Sequence, residues 1–231
     1  MKKIGLIGGL GPESTLDYYS GIINPFKAGF KDNGFPEIIV NSLNLRKYLT
    51  LAEKNRWDEV AADLIREIKV LEAAGADFGA IASNTPHKVF DQVQDQTTLP
   101  LLSIVEAACE FARGKKLNRL CLLGTRFTMG SDFYQKIFKK HDIELVVPDE
   151  QDQDFIQVKL FSEIEFGIIK PETQSRFLQI YQKIRDKHHT EGLILGCTEL
   201  PLIFKPEDID EAYLDTTAIH IDKIVQYCLN D

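Results

Sequence analysis

The chain has 231 residues, 44% hydrophobic and 27% charged, enough to bury the core of one domain or of two small ones. A net charge of −8 with no Lys/Arg run disfavours nucleic acid and anionic membrane surfaces, since either requires a basic patch. No apolar run approaches the roughly 20 residues of a membrane-spanning helix, so no membrane partner and a cytoplasmic location are expected.

The N-terminal MKKIGLIGGLGPEST reads as a strand and its loop. Its apolar run is short and ends in Gly-Gly-Leu-Gly-Pro, not in a signal-peptide cleavage site. Along the chain, KKIGLIG, EIIVNS, FGAIAS, LPLLSI, RLCLLG, IELVVP and GLILG have the length and apolarity of strands buried on both faces. Amphipathic stretches separate them. In WDEVAADLIREIKVLEAAGADF, the residues Val60, Leu64, Ile68 and Leu71 recur at helical spacing and Gly75 stands ready to cap the end. That alternation predicts an α/β fold with parallel sheet.

The GGLGP loop lacks the third glycine of a dinucleotide fingerprint and has no GK[ST]. It reads as a turn whose N–H groups approach a small anion, ahead of a helix N-terminus. Cys109, Cys121, Cys197 and Cys228 stand singly, so neither a disulfide framework nor a metal site is indicated. Cys109 and Cys121 sit among core-type residues, and Cys228 carries no motif. His188 and His189 suit a helix C-terminus. His220 and Trp57 fall on helices without a motif of their own.

The two halves resemble each other. KIGLIGGLGPESTLDYY laid over RLCLLGTRFTMGSDFYQ sets Gly8 on Gly124 and Tyr18 on Tyr134, an offset of 116 (124 minus 8). FGAIASNTPH over GLILGCTELP sets Ser83 on Cys197, an offset of 114 (197 minus 83). Ligands in open α/β sheets bind beyond the carboxyl ends of strands, so Ser83 and Cys197 are expected to face one cleft. One proton-transfer group on each face of a carbon suits abstraction on one side and delivery on the other, which inverts a stereocentre. A thiol can supply a thiolate near neutrality. A serine needs an adjacent base, and His87 is the local candidate.

The segments GLIGGLGPESTLDYY, ASNTPH, GTRFTM with SDFY, and LGCTELP resemble, in order and over essentially the whole chain, the aspartate/glutamate racemase family. The resemblance implies two pseudo-symmetric α/β/α domains with parallel sheets and an active site in the inter-domain cleft. Expected boundaries are 1–98 with a C-terminal helix at about 216–231, and 99–215. It further implies no cofactor, no metal, a homodimer, and racemisation of an amino acid by two cysteines. Cys197 matches the second of these and Ser83 replaces the first. Asn84, Thr85, Thr125 and Thr198 match positions that hold the substrate's amino and carboxylate groups. Glu165 stands where members acting on aspartate can carry a lysine, and Arg46 lies near their arginine position. A carboxylate side chain facing Glu165 would be repelled, which weakens the case for aspartate; an acidic amino acid is still the first expectation, with glutamate, neutral and basic amino acids open. With one thiol, two alternatives stand beside a racemase: a decarboxylase or isomerase of small dicarboxylates, and a catalytically silent amino-acid-binding protein.

Overall fold

A computed structural model of the chain describes residues 1–29 and 34–230. The chain divides into two compact units, Met1–Ala107 with Thr217–Asp231, and Ala108–Thr216.

In the first unit, β1 (Ile4–Gly8), α1 (Pro12–Gly29), β2 (Ile38–Ser42), α2 (Leu45–Glu53), α3 (Trp57–Ala73) and β3 (Phe78–Ile81) lead to a 3-10 turn at Thr85–Val89, then α4 (Phe90–Asp95) and β4 (Leu101–Leu102). Helix α5 (Ile104–Gly114) leads into the second unit. There β5 (Arg119–Gly124), α6 (Arg126–Gly130), α7 (Phe133–Lys139), β6 (Glu144–Val146), α8 (Glu150–Ser162), α9 (Pro171–His188), β7 (Gly192–Gly196), α10 (Leu200–Ile203) and β8 (Ala212–Asp215) follow. Helix α11 (Thr216–Leu229) returns to the first unit. Each unit holds a four-stranded parallel sheet, with orders β2-β1-β3-β4 and β6-β5-β7-β8. The second order repeats the first.

Why the central strands read as unbroken apolar runs is plain from β1, whose residues are buried throughout. Ile4 and Leu6 pack with Tyr18, Ile22 and Phe26 of α1 and Ile221 and Ile224 of α11. Ile7 points to the other face, among Tyr48 of α2 and Leu64, Ile68 and Leu71 of α3. A parallel strand covered by helices on both faces has no polar side to show. The α3 stripe ends at Gly75, which takes φ 86°, a left-handed turn that glycine adopts without strain.

Edges depart from the sequence reading. EIIVNS forms β2, but its residues are half-buried or exposed and Val40 is 40% exposed, because an edge strand is covered less. LPLLSI is extended only at Leu101–Leu102. Ser103 stops it there: its Oγ accepts from the Glu106 N–H at 3.3 Å and its carbonyl from the Ala107 N–H at 2.9 Å, capping α5. The strand β8 was not expected. Its residues AYLD bury only Leu214 fully, so no apolar run marks it. Among the described residues no helix is long and apolar enough to cross a membrane.

Candidate functional site

Strand register fixes which residues of the two units correspond. Gly124 of β5 pairs with Gly196 of β7. In the first unit Ile7 pairs with Ile81, and the Ala82 N–H donates to the Ile7 carbonyl at 2.9 Å. Ala82 therefore stands as Gly196 does, and the residues one step beyond the sheet are Ser83 and Cys197. Hydrogen-bond register thus reproduces the offset read from the sequence.

In the second unit, Cys197 follows the buried run GLILG of β7. Gly196 is closely packed: a Cβ there would lie 2.9 Å from Leu122 Cδ1 and 3.0 Å from the Leu123 carbonyl oxygen, so a side chain would force its neighbours to shift. Cys197 is partly exposed, whereas Cys109, Cys121 and Cys228 are buried and not joined in disulfides. Its Sγ donates to Glu199 Oε2 at 2.9 Å. Burial first, then the charge and acceptor of Glu199, then the charge of Glu165, push the Cys197 thiol well above the ordinary cysteine range. The resting group is a protonated thiol with a carboxylate in contact. Glu165, exposed in a 3-10 turn at Ile164–Phe166, is itself raised by loss of water and by Glu199. The two acids and the thiol therefore share one neighbourhood. Thr125 caps α6, its Oγ1 accepting from the Thr128 N–H at 3.1 Å, and it follows the strand next to that of Cys197. Thr198 is half-buried, next to Cys197.

In the first unit, Ser83 Oγ donates to the Leu10 carbonyl at 3.3 Å. Asn84 is buried and its carbonyl accepts from the His87 N–H at 3.0 Å. Thr85 opens the 3-10 turn. His87 does not serve Ser83 as a base. The Ile104 N–H donates to His87 Nε2 at 3.2 Å, so Nδ1 carries the ring proton and donates to the Ser83 carbonyl at 2.9 Å, leaving Oγ without it. Burial drives the imidazole down to about 4, so it is neutral and fully engaged. Arg46, in the first turn of α2, is exposed.

Beside Ser83 and Thr85 the first unit carries a recess open to solvent, whose walls include Leu10, Leu45, Leu49, Ala52, Trp57 and Val60. The glycine loop ahead of it is tightly built. Gly9 has φ 78° and a Cβ there would fall 2.2 Å from the Leu43 carbonyl oxygen. The Gly9 N–H donates to Thr15 Oγ1 at 2.8 Å, so it serves the loop itself and is not turned to an anion. Among the described residues no group of three or more His, Cys, Asp or Glu side chains could hold a metal ion.

Sequence reasoning missed Glu199. Its signal was an acid two residues beyond the cysteine in GCTELP, a spacing that lets one turn bring the carboxylate back to the thiol.

Paired sheets of identical order, with a thiol and a hydroxyl at matching strand ends, define a duplicated α/β class of protein. Residues 7–224 match the Asp/Glu/Hydantoin racemase family, and the chain belongs to that family. Over 219 residues, 93% of either chain, it is 26% identical to a Bacillus subtilis (strain 168) protein named broad specificity amino-acid racemase RacX. Among solved structures, PH1733 from Pyrococcus horikoshii OT3, an aspartate racemase homologue, is 37% identical with a TM-score of 0.88 and full coverage of both chains. A Yersinia pestis protein provisionally described as an Asp/Glu racemase is 33% identical with a TM-score of 0.93, again over the whole of both chains. Glutamate racemase from Francisella tularensis, at 18% identity and a TM-score of 0.66, covers 99% of this chain and 83% of its own, and shares the fold.

Proposed function

We propose that the chain is a cofactor-independent amino-acid racemase in which Cys197 exchanges the α-proton on one face of the substrate and Ser83 stands where a second thiol would act. The observation that carries this is the pair Cys197 and Glu199 hydrogen-bonded at 2.9 Å, at the strand end that corresponds to Ser83. Family membership supports it, and so do the racemase names of the relatives. The thiol passes its proton to the Glu199 carboxylate, which leaves a thiolate and a neutral acid. That thiolate takes the proton from Cα, and the carbanion is reprotonated by the Ser83 hydroxyl or a water attached to it; the alkoxide or hydroxide left there takes a proton from solvent, and the Glu199 acid returns its proton to solvent. The carboxylates of Glu199 and Glu165 favour a cation beside Cys197, which a substrate ammonium supplies. Asn84, Thr85, Thr125 and Thr198 offer donors and acceptors for the amino and carboxylate groups.

Serine is a far weaker acid than cysteine and lacks a base here, since His87 is engaged elsewhere. The two enantiomers should therefore be handled unequally. The test is α-proton exchange in deuterated water, followed by NMR, with each enantiomer of a panel of amino acids. Exchange should be lost in Cys197→Ala, and Ser83→Cys should speed the slower enantiomer. Exchange that survives Cys197→Ala removes the thiol from the reaction, and equal, fast exchange of both enantiomers by the unaltered chain removes the asymmetry.

A further inference from the structure

We propose that the recess beside Ser83 receives the substrate's side chain, and that it selects an uncharged apolar one. This rests on the reading that Ser83 belongs to the amino-acid site. The inner stripe of α2, Leu45, Leu49 and Ala52, lines the recess with Trp57 and Val60 of α3, and among the described residues no charged one lines it. Two of its hydroxyls are already engaged: that of Tyr48 donates to Asp63 Oδ2 at 2.7 Å, and that of Ser83 to the Leu10 carbonyl. A carboxylate or ammonium placed there would lose water without gaining a charged partner.

The cations nearby are directed elsewhere. Lys47 lies 2.5 Å from Asp63 Oδ2, and Arg66 pairs with the same carboxylate. Lys88 sits over the Trp57 ring, 4.5 Å from its centroid, and Arg46 is exposed outside the lining. The walls are also held in place. Asp63, on α3 and buried, ties down both Tyr48 and Lys47 of α2, so the two helices that wall the recess are fixed to each other. An aliphatic or aromatic side chain buried against these walls is stabilised in proportion to the apolar area it covers.

Trp57 is the only tryptophan in the chain and lines the recess, so its fluorescence reports occupancy independently of turnover. The full chain is titrated with both enantiomers of leucine, methionine, phenylalanine, alanine, aspartate, glutamate and lysine. Trp57 emission is read alongside α-proton exchange. Leucine, methionine or phenylalanine should saturate the Trp57 signal at concentrations about tenfold or more below those needed for alanine or aspartate. Ala52→Phe should lower the leucine-to-alanine preference, and Leu49→Arg, which puts a cation on the wall of the recess, should turn preference toward aspartate.

A Trp57 response to leucine with no exchange of any amino acid upholds the recess and removes the racemase reading. Exchange of aspartate or glutamate at least as efficient as that of the apolar amino acids, with no apolar ligand moving Trp57, upholds the racemase reading and overturns the recess. Silence in both readouts overturns both.

Discussion

Cys197 and Glu199 are two residues apart, and their hydrogen bond decides the state from which either acts. A carboxylate that accepts from a thiol stabilises the neutral thiol and opposes its ionisation, so Glu199 both holds the proton and is the group ready to remove it. With the offset of 114, Thr85 stands at the place of Glu199 (199 minus 114) as Ser83 stands at that of Cys197. The first unit thus lacks the carboxylate as well as the thiol, which is a second reason to expect one fast face. Glu199→Gln removes the charge and the carboxylate acceptor. The Cys197 thiol should then titrate at lower pH, seen as a shift of the pH profile for iodoacetamide alkylation, while α-proton exchange falls on the order of 10²-fold. A thiol profile that does not move, or moves upward, would mean that Glu199 does not hold the proton. Ser83 and Cys197 were legible because a repeat exposes matched positions even where the residues differ. The engagement of His87 was not legible, because it depends on the Ile104 N–H, brought from 17 residues away by the start of α5.

At the scale of elements, α2 is the piece that shapes the recess, and a buried carboxylate holds it. Burial alone would raise Asp63, but donors from Lys47, Tyr48 and Arg66 outweigh it and hold the carboxyl below its ordinary value. Tyr48 is pushed up in turn, by burial and by Asp63. Asp63→Asn keeps the shape and removes the charge that all three donors share. Because Lys47 and Arg66 are about half exposed or more, they recover water and the loss should be moderate, about 1–3 kcal/mol in urea unfolding. Trp57 emission should shift with it as α2 loosens. An unchanged midpoint would show that the apolar stripe alone seats the helix. The stripe of α3 was readable from its 3.6-residue period, and the central strands from their apolarity. The strand β8 was hidden, because an edge strand with one fully buried residue carries neither signal. The Asp63 contacts were hidden too, since a charge on an amphipathic helix reads as solvated face until the neighbouring helix is placed.

At the scale of the whole molecule, duplication has kept the sheet order and let the interiors diverge. The two buried histidines, His87 and His220, both belong to the first unit. By the same offset, Pro201 of the second unit stands where His87 does (87 plus 114). His220 Nδ1 accepts from the Tyr18 hydroxyl at 2.7 Å, and its Nε2–H donates to the Leu102 carbonyl at 3.0 Å. Burial brings His220 down to about 3 and His87 down to about 4. A histidine with a lowered folded-state value contributes stability that is fully present above its unfolded value of about 6.5 and is lost as pH falls toward the folded one. At pH 5 the loss is roughly 2 kcal/mol for each imidazole. Carboxylates held low, such as Glu163 at about 2 beside Lys159, Thr173 and Lys170, act in the same direction but begin to cost stability only below about 4.5. The window between pH 6.5 and 4.5 should therefore weaken the first unit selectively. Hydrogen exchange, corrected for intrinsic rates, should show amides of β1 and β3 losing protection from pH 7 to pH 5 while those of β5 and β7 keep theirs. His220→Gln should reduce that loss, because an amide there cannot take up a proton. Equal loss in both sheets would place the acid sensitivity outside the buried imidazoles.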